Sequence, residues 1–321
     1  MTASPDVLLL HTVESSPWAN QPELQSEIEA AIPDIDLRVA RTPPESERMI
    51  ESADIVIASF FPSELFEAAR NLQWIQALSS GVDFYDFETL RDRNIALTNV
   101  AGIHAEPIAE QVLGYMLTFE RKIHTGIRQQ ERNVWERYQA GEIRGKTLGI
   151  IGLGAIGSQI ATYANAFGMN VIGTKRDPET APDVVDEAYS PSGLFDVLSR
   201  SDYVVLACPL TDDTRGLIGN KELGAMPSES VLINIARGEV VDEEALLYAL
   251  QQGIIGGAAL DVFEEEPYAT DSPLWDLSNV IMTPHMAGST PHKSKRVAAL
   301  FAEHYKAYLD GGPEVLPTRI V

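Results

Sequence analysis

Residues 152–157 read GLGAIG, and they stand between an apolar run, KTLGII, and a helical stretch that opens at Ser158. Glycines in this spacing let a strand turn sharply, let backbone approach a diphosphate, and bring the following helix down onto the strand. The helix N-terminus then favours negative charge. A second apolar run, 170–173, follows the helix. Strand, glycine turn, helix and strand together form the opening of a parallel, doubly wound α/β domain that binds a dinucleotide. Alone, the pattern also suits a glycine-rich turn without a ligand. The span 147–174 carries no charge, yet its glycines with Ser158, Gln159 and Asn165 argue against a lipid-facing helix.

Alternation of β-rich runs and helical patterns extends over the whole chain. Strands are expected at 7–10, 37–40, 55–58, 74–77 and 95–98. Helices are expected between them at 22–31, 45–52 and 64–70, the last with Ser63 as its N-cap. A long helical region, 106–137, breaks near Ile123. Further strands follow at 147–151, 170–173, 203–207, 231–235, 256–260 and 280–282, and a final helix at 291–309. The pattern predicts two doubly wound parallel-sheet domains, and 321 residues suit two domains with sizeable cores.

In dinucleotide-binding domains an acid commonly follows the second strand and holds the ribose hydroxyls. Here Thr174, Lys175 and Arg176 occupy that place. A carboxylate would repel a 2′-phosphate, whereas Arg binds one through two parallel hydrogen bonds and Lys adds a point charge. The expected cofactor is therefore NADP(H), with NAD(H) the weaker alternative. The bland alternative is a basic pair in a solvated turn.

Charge narrows the partners. Forty-seven acids against 24 bases give a net charge of −23, so the surface repels nucleic acid and anionic membranes, and neither is expected to bind. Only seven of the bases are Lys; an acidic, Lys-poor surface suits high salt, where screening removes self-repulsion, and the chain reads as halophilic. Cys208 is the one cysteine, so no intrachain disulfide forms. The stretch MTASPDVLLLHTVE lacks the layout of a signal peptide, and a cytoplasmic location is expected. No set of His, Cys and acids has metal-ligand spacing, and no metal is expected.

Further motifs read VLINIARGEVVDEEAL (231–246), AALDVFEEEP (258–267) and NVIMTPHMAG (279–288), with QALSSGVDFYD (76–86) and VLACPLTDDTRGLIG (205–219) before them. At these residues the chain resembles the D-isomer-specific 2-hydroxyacid dehydrogenase family along essentially its whole length. The resemblance implies a flavodoxin-like substrate domain, 1–99 with 289–321, a Rossmann cofactor domain, 100–288, inserted into it, and a cleft between the two. It also implies hydride transfer between a nicotinamide and a 2-ketoacid, giving a D-2-hydroxyacid reversibly.

That chemistry needs a cation to bind and polarise the substrate, an acid to protonate the new alkoxide, and a partner to orient the acid. Arg237, His285 and Glu266 suit these roles in turn, and by resemblance they fall on the catalytic positions. Individually, Arg237 could be an ion-pair partner, Glu266 part of a solvated acidic run, and His285 a packed histidine. Arg237 and His285 are also expected at the substrate. By resemblance Ser80, Gly81 and Val82 present backbone N–H groups to its carboxylate; as a bare sequence they suit a strand-ending turn. Cofactor contacts implied by the motifs are Gly152, Leu153, Gly154, Ala155, Ile156, Gly157, Thr174, Lys175, Arg176, Cys208, Pro209, Thr214, Ile235, Ala236, Arg237, Asp261, His285 and Gly288. His104 is a secondary candidate on the substrate side, while His11, His124, His292 and His304 read as surface or packing residues.

Three alternatives accompany this reading. Corepressors resembling the family keep the fold and bind dinucleotide without turnover. Formate dehydrogenases carry Gln where Glu266 stands. With Val321 as its last residue, the chain is not expected to carry the added regulatory domain of a phosphoglycerate dehydrogenase subtype. The resemblance finally implies a homodimer through 106–137 with Val112, Met116 and Phe119 in its buried core, although the same pattern suits packing within one chain.

Overall fold

The computed structural model describes residues 4–13, 20–82 and 84–321. Asp83 of the QALSSGVDFYD motif and parts of the N-terminal stretch, 1–3 and 14–19, lie outside the described residues. In chain order the elements are β1 (Val7–Leu9), α1 (Gln21–Ala31), β2 (Leu37–Val39), α2 (Pro43–Met49), β3 (Ile55–Ala58), β4 (Trp74–Ala77), α3 (Phe87–Asp92) and β5 (Ala96–Thr98). Next come α4 (Ala105–Glu120), α5 (Ile123–Glu131), β6 (Thr147–Ile151), α6 (Ala155–Ala166), β7 (Asn170–Thr174), β8 (Glu187–Tyr189), α7 (Leu194–Arg200) and β9 (Tyr203–Leu206). The chain continues through α8 (Asn220–Ala225), β10 (Val231–Asn234), α9 (Glu243–Gln251), β11 (Gly257–Leu260), β12 (Val280–Met282) and α10 (Lys293–Gly311). Two compact units result: Met1–Ile103 with Ser289–Val321, and His104–Gly288.

The first unit is built on a five-stranded sheet in the order β2-β1-β3-β4-β5, every neighbouring pair parallel. Both faces of β3 and β4 are buried, as continuous apolar runs in a parallel sheet require. Leu8, Val56, Ile75 and Leu97 point to one face, and Val7, Ile55, Ile57 and Trp74 to the other. Helix α10 closes the second face: Trp74 stacks on Phe301 at 5.4 Å and on Tyr308 at 5.6 Å. A buried polar chain fixes its register. Trp74 Nε1 donates to Thr98 Oγ1 (2.7 Å), Thr98 Oγ1 to Gln76 Oε1 (2.9 Å), and His304 Nδ1 lies 2.8 Å from that same oxygen. Burial pushes the His304 imidazole below its usual range, with Glu303 opposing.

The second unit carries a seven-stranded parallel sheet, β12-β11-β10-β9-β6-β7-β8. Strand order reverses between β6 and β9, and the crevice beyond the carboxyl ends of two such strands is where doubly wound sheets bind ligands.

Several expectations are corrected. Residues 64–70 form no helix: a 3-10 turn, Ser63–Leu65, is all that develops, with Pro62 rather than Ser63 at its N-cap. Phe66 N–H bonds back three residues to Ser63 O, and Arg93 takes the Phe66 carbonyl that a continuing helix would need. Residues 132–137 are not helical either; α5 ends at Glu131. Lys122, at φ 51°, separates α4 from α5. Helix α3 and the short edge strand β8 were not anticipated. Val112 and Met116 are buried within their own unit, with Phe119 packed beside them, so they are not available as an interface core.

Candidate active site

At the end of β6 each glycine meets a different steric demand. Gly152 has φ 106°, and a Cβ there would lie 2.7 Å from Cys208 N; at Gly157 a Cβ would lie 2.2 Å from Gly152 O. Only glycine fits either position. Gly154 is the N-cap of α6, and a Cβ on it would meet nothing within 4 Å. Space is thus left beside the first turn of a 12-residue helix, whose leading N–H groups have no helical acceptor. Leu153, Ala155 and Ile156 complete this turn. The residues present fit a diphosphate.

The end of β7 narrows the sequence expectation. Thr174 is buried, and its carbonyl accepts from Gly152 N–H (3.2 Å) and Leu153 N–H (2.9 Å), so it holds the glycine turn itself. Lys175 Nζ donates to Thr180 O at 2.6 Å, across its own loop. Arg176 is exposed and makes no hydrogen bond or ion pair among the described residues.

Beyond β9, Cys208 is partly buried, which raises its thiol, and Thr214 Oγ1 donates to Pro209 O at 2.7 Å, bracing the loop. Beyond β10 the turn that delivers Arg237 is shaped by Asn234, a residue the sequence reading passed over. Its Oδ1 accepts from Ala236 N–H (3.0 Å) and its Nδ2 donates to Arg237 O (2.9 Å). Ile235 and Ala236 are buried beneath, and an Arg237 guanidinium N–H donates to Ala236 O at 2.7 Å. Gly238 follows, its Cα hydrogens against the Phe263–Glu264 peptide.

Glu266 and His285 meet directly. His285 Nδ1 lies 2.7 Å from Glu266 Oε2, and Glu266 Oε1 accepts from Phe263 N–H at 3.1 Å. A carboxylate only accepts, so Nδ1 carries the proton and Nε2 faces outward on a ring whose side chain is 52% exposed. His285 sits at φ 50°, a left-handed conformation that costs a non-glycine residue roughly 1–3 kcal/mol. Asp261, buried at 2% exposure, holds it there. Its backbone oxygen accepts from His285 N–H (2.7 Å), and its carboxylate accepts from Met286 N–H (2.9 Å), Ala287 N–H (2.8 Å) and Thr283 Oγ1 (2.5 Å). Tyr115 of α4 bonds Thr283 Oγ1 in turn, and burial raises its phenol. The loop ends at Gly288, whose carbonyl lies 3.0 Å from His104 Nδ1.

In the first unit, the turn after β4 is shaped from outside. Asn99 Nδ2 donates to Ser80 O and Ser79 Oγ to Gly81 O, both at 2.7 Å. Backbone N–H groups of Ser80, Gly81 and Val82 donate to nothing among the described residues, and the buried Ser80 Oγ has no partner.

A glycine cradle at the switch point of a doubly wound sheet, with an oriented imidazole on the same unit, defines a nicotinamide-dependent oxidoreductase. Comparison with known proteins makes this specific. Residues 113–287 match the D-isomer specific 2-hydroxyacid dehydrogenase NAD-binding domain. The chain is 35% identical to D-3-phosphoglycerate dehydrogenase of Methanocaldococcus jannaschii over 87% of its own length, and it spans about half (54%) of that enzyme. It is 35% identical to glyoxylate reductase of Thermococcus gammatolerans, covering 86% of this chain and 84% of that one. The crystal structure of a family member from Xanthobacter autotrophicus, in complex with NADPH and MES, superposes with a TM-score of 0.86 at 30% identity over 99% of this chain and 98% of that one. The chain belongs to the D-isomer specific 2-hydroxyacid dehydrogenase family.

Proposed function

We propose that this protein reduces a 2-ketoacid to the D-2-hydroxyacid with NADPH, reversibly. The observation that carries this reading is the 2.7 Å contact of His285 Nδ1 with Glu266 in the unit that holds the glycine cradle. Glu266 fixes the ring so that Nε2 is the proton-bearing edge of the imidazolium. As charge develops on the carbonyl oxygen, His285 gives it the Nε2 proton, and Glu266 stabilises the ring while it is charged. Arg237 binds the carboxylate through its fork and polarises the ketone. In the first unit, Ser80, Gly81 and Val82 have N–H groups that donate to nothing among the described residues, which suits a carboxylate ligand. The cofactor would rest on residues 152–157 with Arg176 at its 2′-phosphate; when bound, it supplies or accepts the hydride.

NADPH rather than NADH is favoured because Thr174, Lys175 and Arg176 stand where an acid commonly follows the second strand, and the exposed Arg176 makes no hydrogen bond or ion pair among the described residues; the family member from Xanthobacter was crystallised with NADPH. Mixing the protein with NADPH or NADH and a panel from glyoxylate to bulky 2-ketoacids tests the proposal. Absorbance of the reduced cofactor should fall, and fall faster with NADPH. Tight binding without turnover would return the chain to a sensor role.

A homodimer in a salty cytoplasm is part of the proposal. Exposed apolar residues from 123 to 138 support it, Trp135 at 98% exposure above all, with Ile123, Ile127, Val134 and Tyr138. Light scattering in molar salt should report twice the chain mass, and Trp135→Glu should reduce it.

A further inference from the structure

The exposed proton donor is held by a buried chain of hydroxyls that reaches back into α4. Thr283 Oγ1 gives its one proton to Asp261 Oδ1 at 2.5 Å. That oxygen can therefore only accept from Tyr115, whose hydroxyl is its other neighbour. The order is Tyr115 O–H to Thr283 O–H to the Asp261 carboxylate, and the carboxylate then takes the N–H groups of Met286 and Ala287. Tyr115 is 4% exposed and Asp261 2%, so water does not substitute for a missing partner. Nothing else among the described hydrogen bonds fixes the carboxylate from the helix side. Its grip spans both sides of His285, the one residue of the loop in the left-handed region.

We propose that Tyr115 and Thr283 are positioning residues for the proton donor, acting through Asp261 to hold the loop that aims His285 at Glu266. The proposal rests on His285 being the donor. Neither side chain touches the substrate in this account; both set where the imidazole points and which of its nitrogens is protonated. Residue 115 lies in the middle of α4, which itself packs on α6 behind the glycine turn. The chain of bonds thus ties the helix beside the cofactor cradle to the acid.

Thr283→Val, Thr283→Ser, Tyr115→Phe and the double variant Tyr115→Phe with Thr283→Val test this with two readouts. With glyoxylate and NADPH, Thr283→Val should lower kcat about tenfold while KM for glyoxylate moves less than about threefold, because substrate binding is untouched. Thr283→Ser, which keeps the hydroxyl, should restore the parent rate, and Tyr115→Phe should give a smaller loss. The double variant should be no slower than Thr283→Val alone, as expected for links of one chain. Ring-nitrogen NMR shifts supply the second readout. Parent His285, assigned with His285→Gln, should show a single Nδ1-protonated tautomer in its neutral form, and Thr283→Val a mixture of tautomers. Parent kcat and parent tautomer in folded Thr283→Val, or additive losses in the double variant, would overturn the proposal. If the parent reduces no 2-ketoacid, the proposed function fails by itself, and the tautomer comparison still decides whether the chain positions His285.

Discussion

Gly238→Ala is the sharpest test of how the active-site loops are assembled. A Cβ at this position would lie 1.9 Å from Phe263 C, 2.2 Å from Phe263 O and 2.2 Å from Glu264 N. All three atoms are backbone, so no rotamer change relieves the clash. Ordinary carbon contacts begin at about 3.5 Å, so one segment must retreat by about 1.5 Å. Gly238 adjoins Arg237, and Phe263 N–H holds Glu266, so the retreat separates Arg237, the proposed substrate-binding cation, from the carboxylate that contacts His285. A misplacement near 1 Å costs on the order of a hundredfold in rate, and overpacking costs about 1–3 kcal/mol in stability. The assay is kcat/KM for glyoxylate at saturating NADPH, together with Tm. Gly216→Ala is the control. It has φ 62° and open space around a Cβ, so it carries backbone strain of about 1 kcal/mol without a clash, and it should lose a little stability and keep its activity. A folded Gly238→Ala enzyme within about threefold of the parent would refute the reasoning, since the misplacement it is built on costs far more.

Three further outcomes follow from the structure. Arg176→Ala should raise KM for NADPH about tenfold while leaving NADH nearly unchanged, since one exposed charge-assisted bond is lost; KM measured for both cofactors decides, and a parent that already prefers NADH would show 175–176 to be a solvated turn. His304, lowered by burial, binds its proton more weakly folded than unfolded, so the stability it contributes is complete above pH about 6.5 and is lost as pH falls below that; urea midpoints between pH 7 and 5 should drop more in the parent than in His304→Gln. Cys208, the only thiol, lies against Gly152 of the glycine turn, so bound dinucleotide should slow its alkylation severalfold, and equal labelling rates with and without NADPH would count against a ligand there.

Much of the architecture was legible because parallel sheets covered on both faces force continuous apolar runs. Strands β3, β4, β6 and β12 lie where the runs indicate, and the glycine turn falls at the switch point. Elements held by tertiary partners were not legible. Edge strand β8 has only exposed or half-buried residues, Glu187, Ala188 and Tyr189, and it is pinned by Arg200 on Glu187 at 2.5 Å, a contact no periodicity encodes. Residues 64–70 have helical spacing but lose a carbonyl to Arg93. In the site, residues with chemistry of their own stood out: Arg237, Glu266 and His285. Their supports did not. Asn234, Tyr115 and Thr283 act through bonds to residues 2 to 168 positions away, and Asp261 was assigned to the cofactor with no hint that it holds the His285 loop. Lys175, read as a phosphate ligand, also donates to Thr180 O across its own loop, a bond the sequence did not indicate.

Helix α10 carries a consequence for how the chain is made. Everything from His104 to Gly288 forms one compact unit, and all of it leaves the ribosome before the helix that completes the earlier unit. During that interval Trp74 has neither Phe301 nor Tyr308 to stack on, and Gln76 has no His304. The nascent protein therefore waits with one face of its first sheet covered by α1 alone, where Leu24 and Ile28 pack, while the later half is already able to fold. Indole emission from Trp74 in a chain stalled after residue 288 should report that waiting state, and release of α10 should quench the difference.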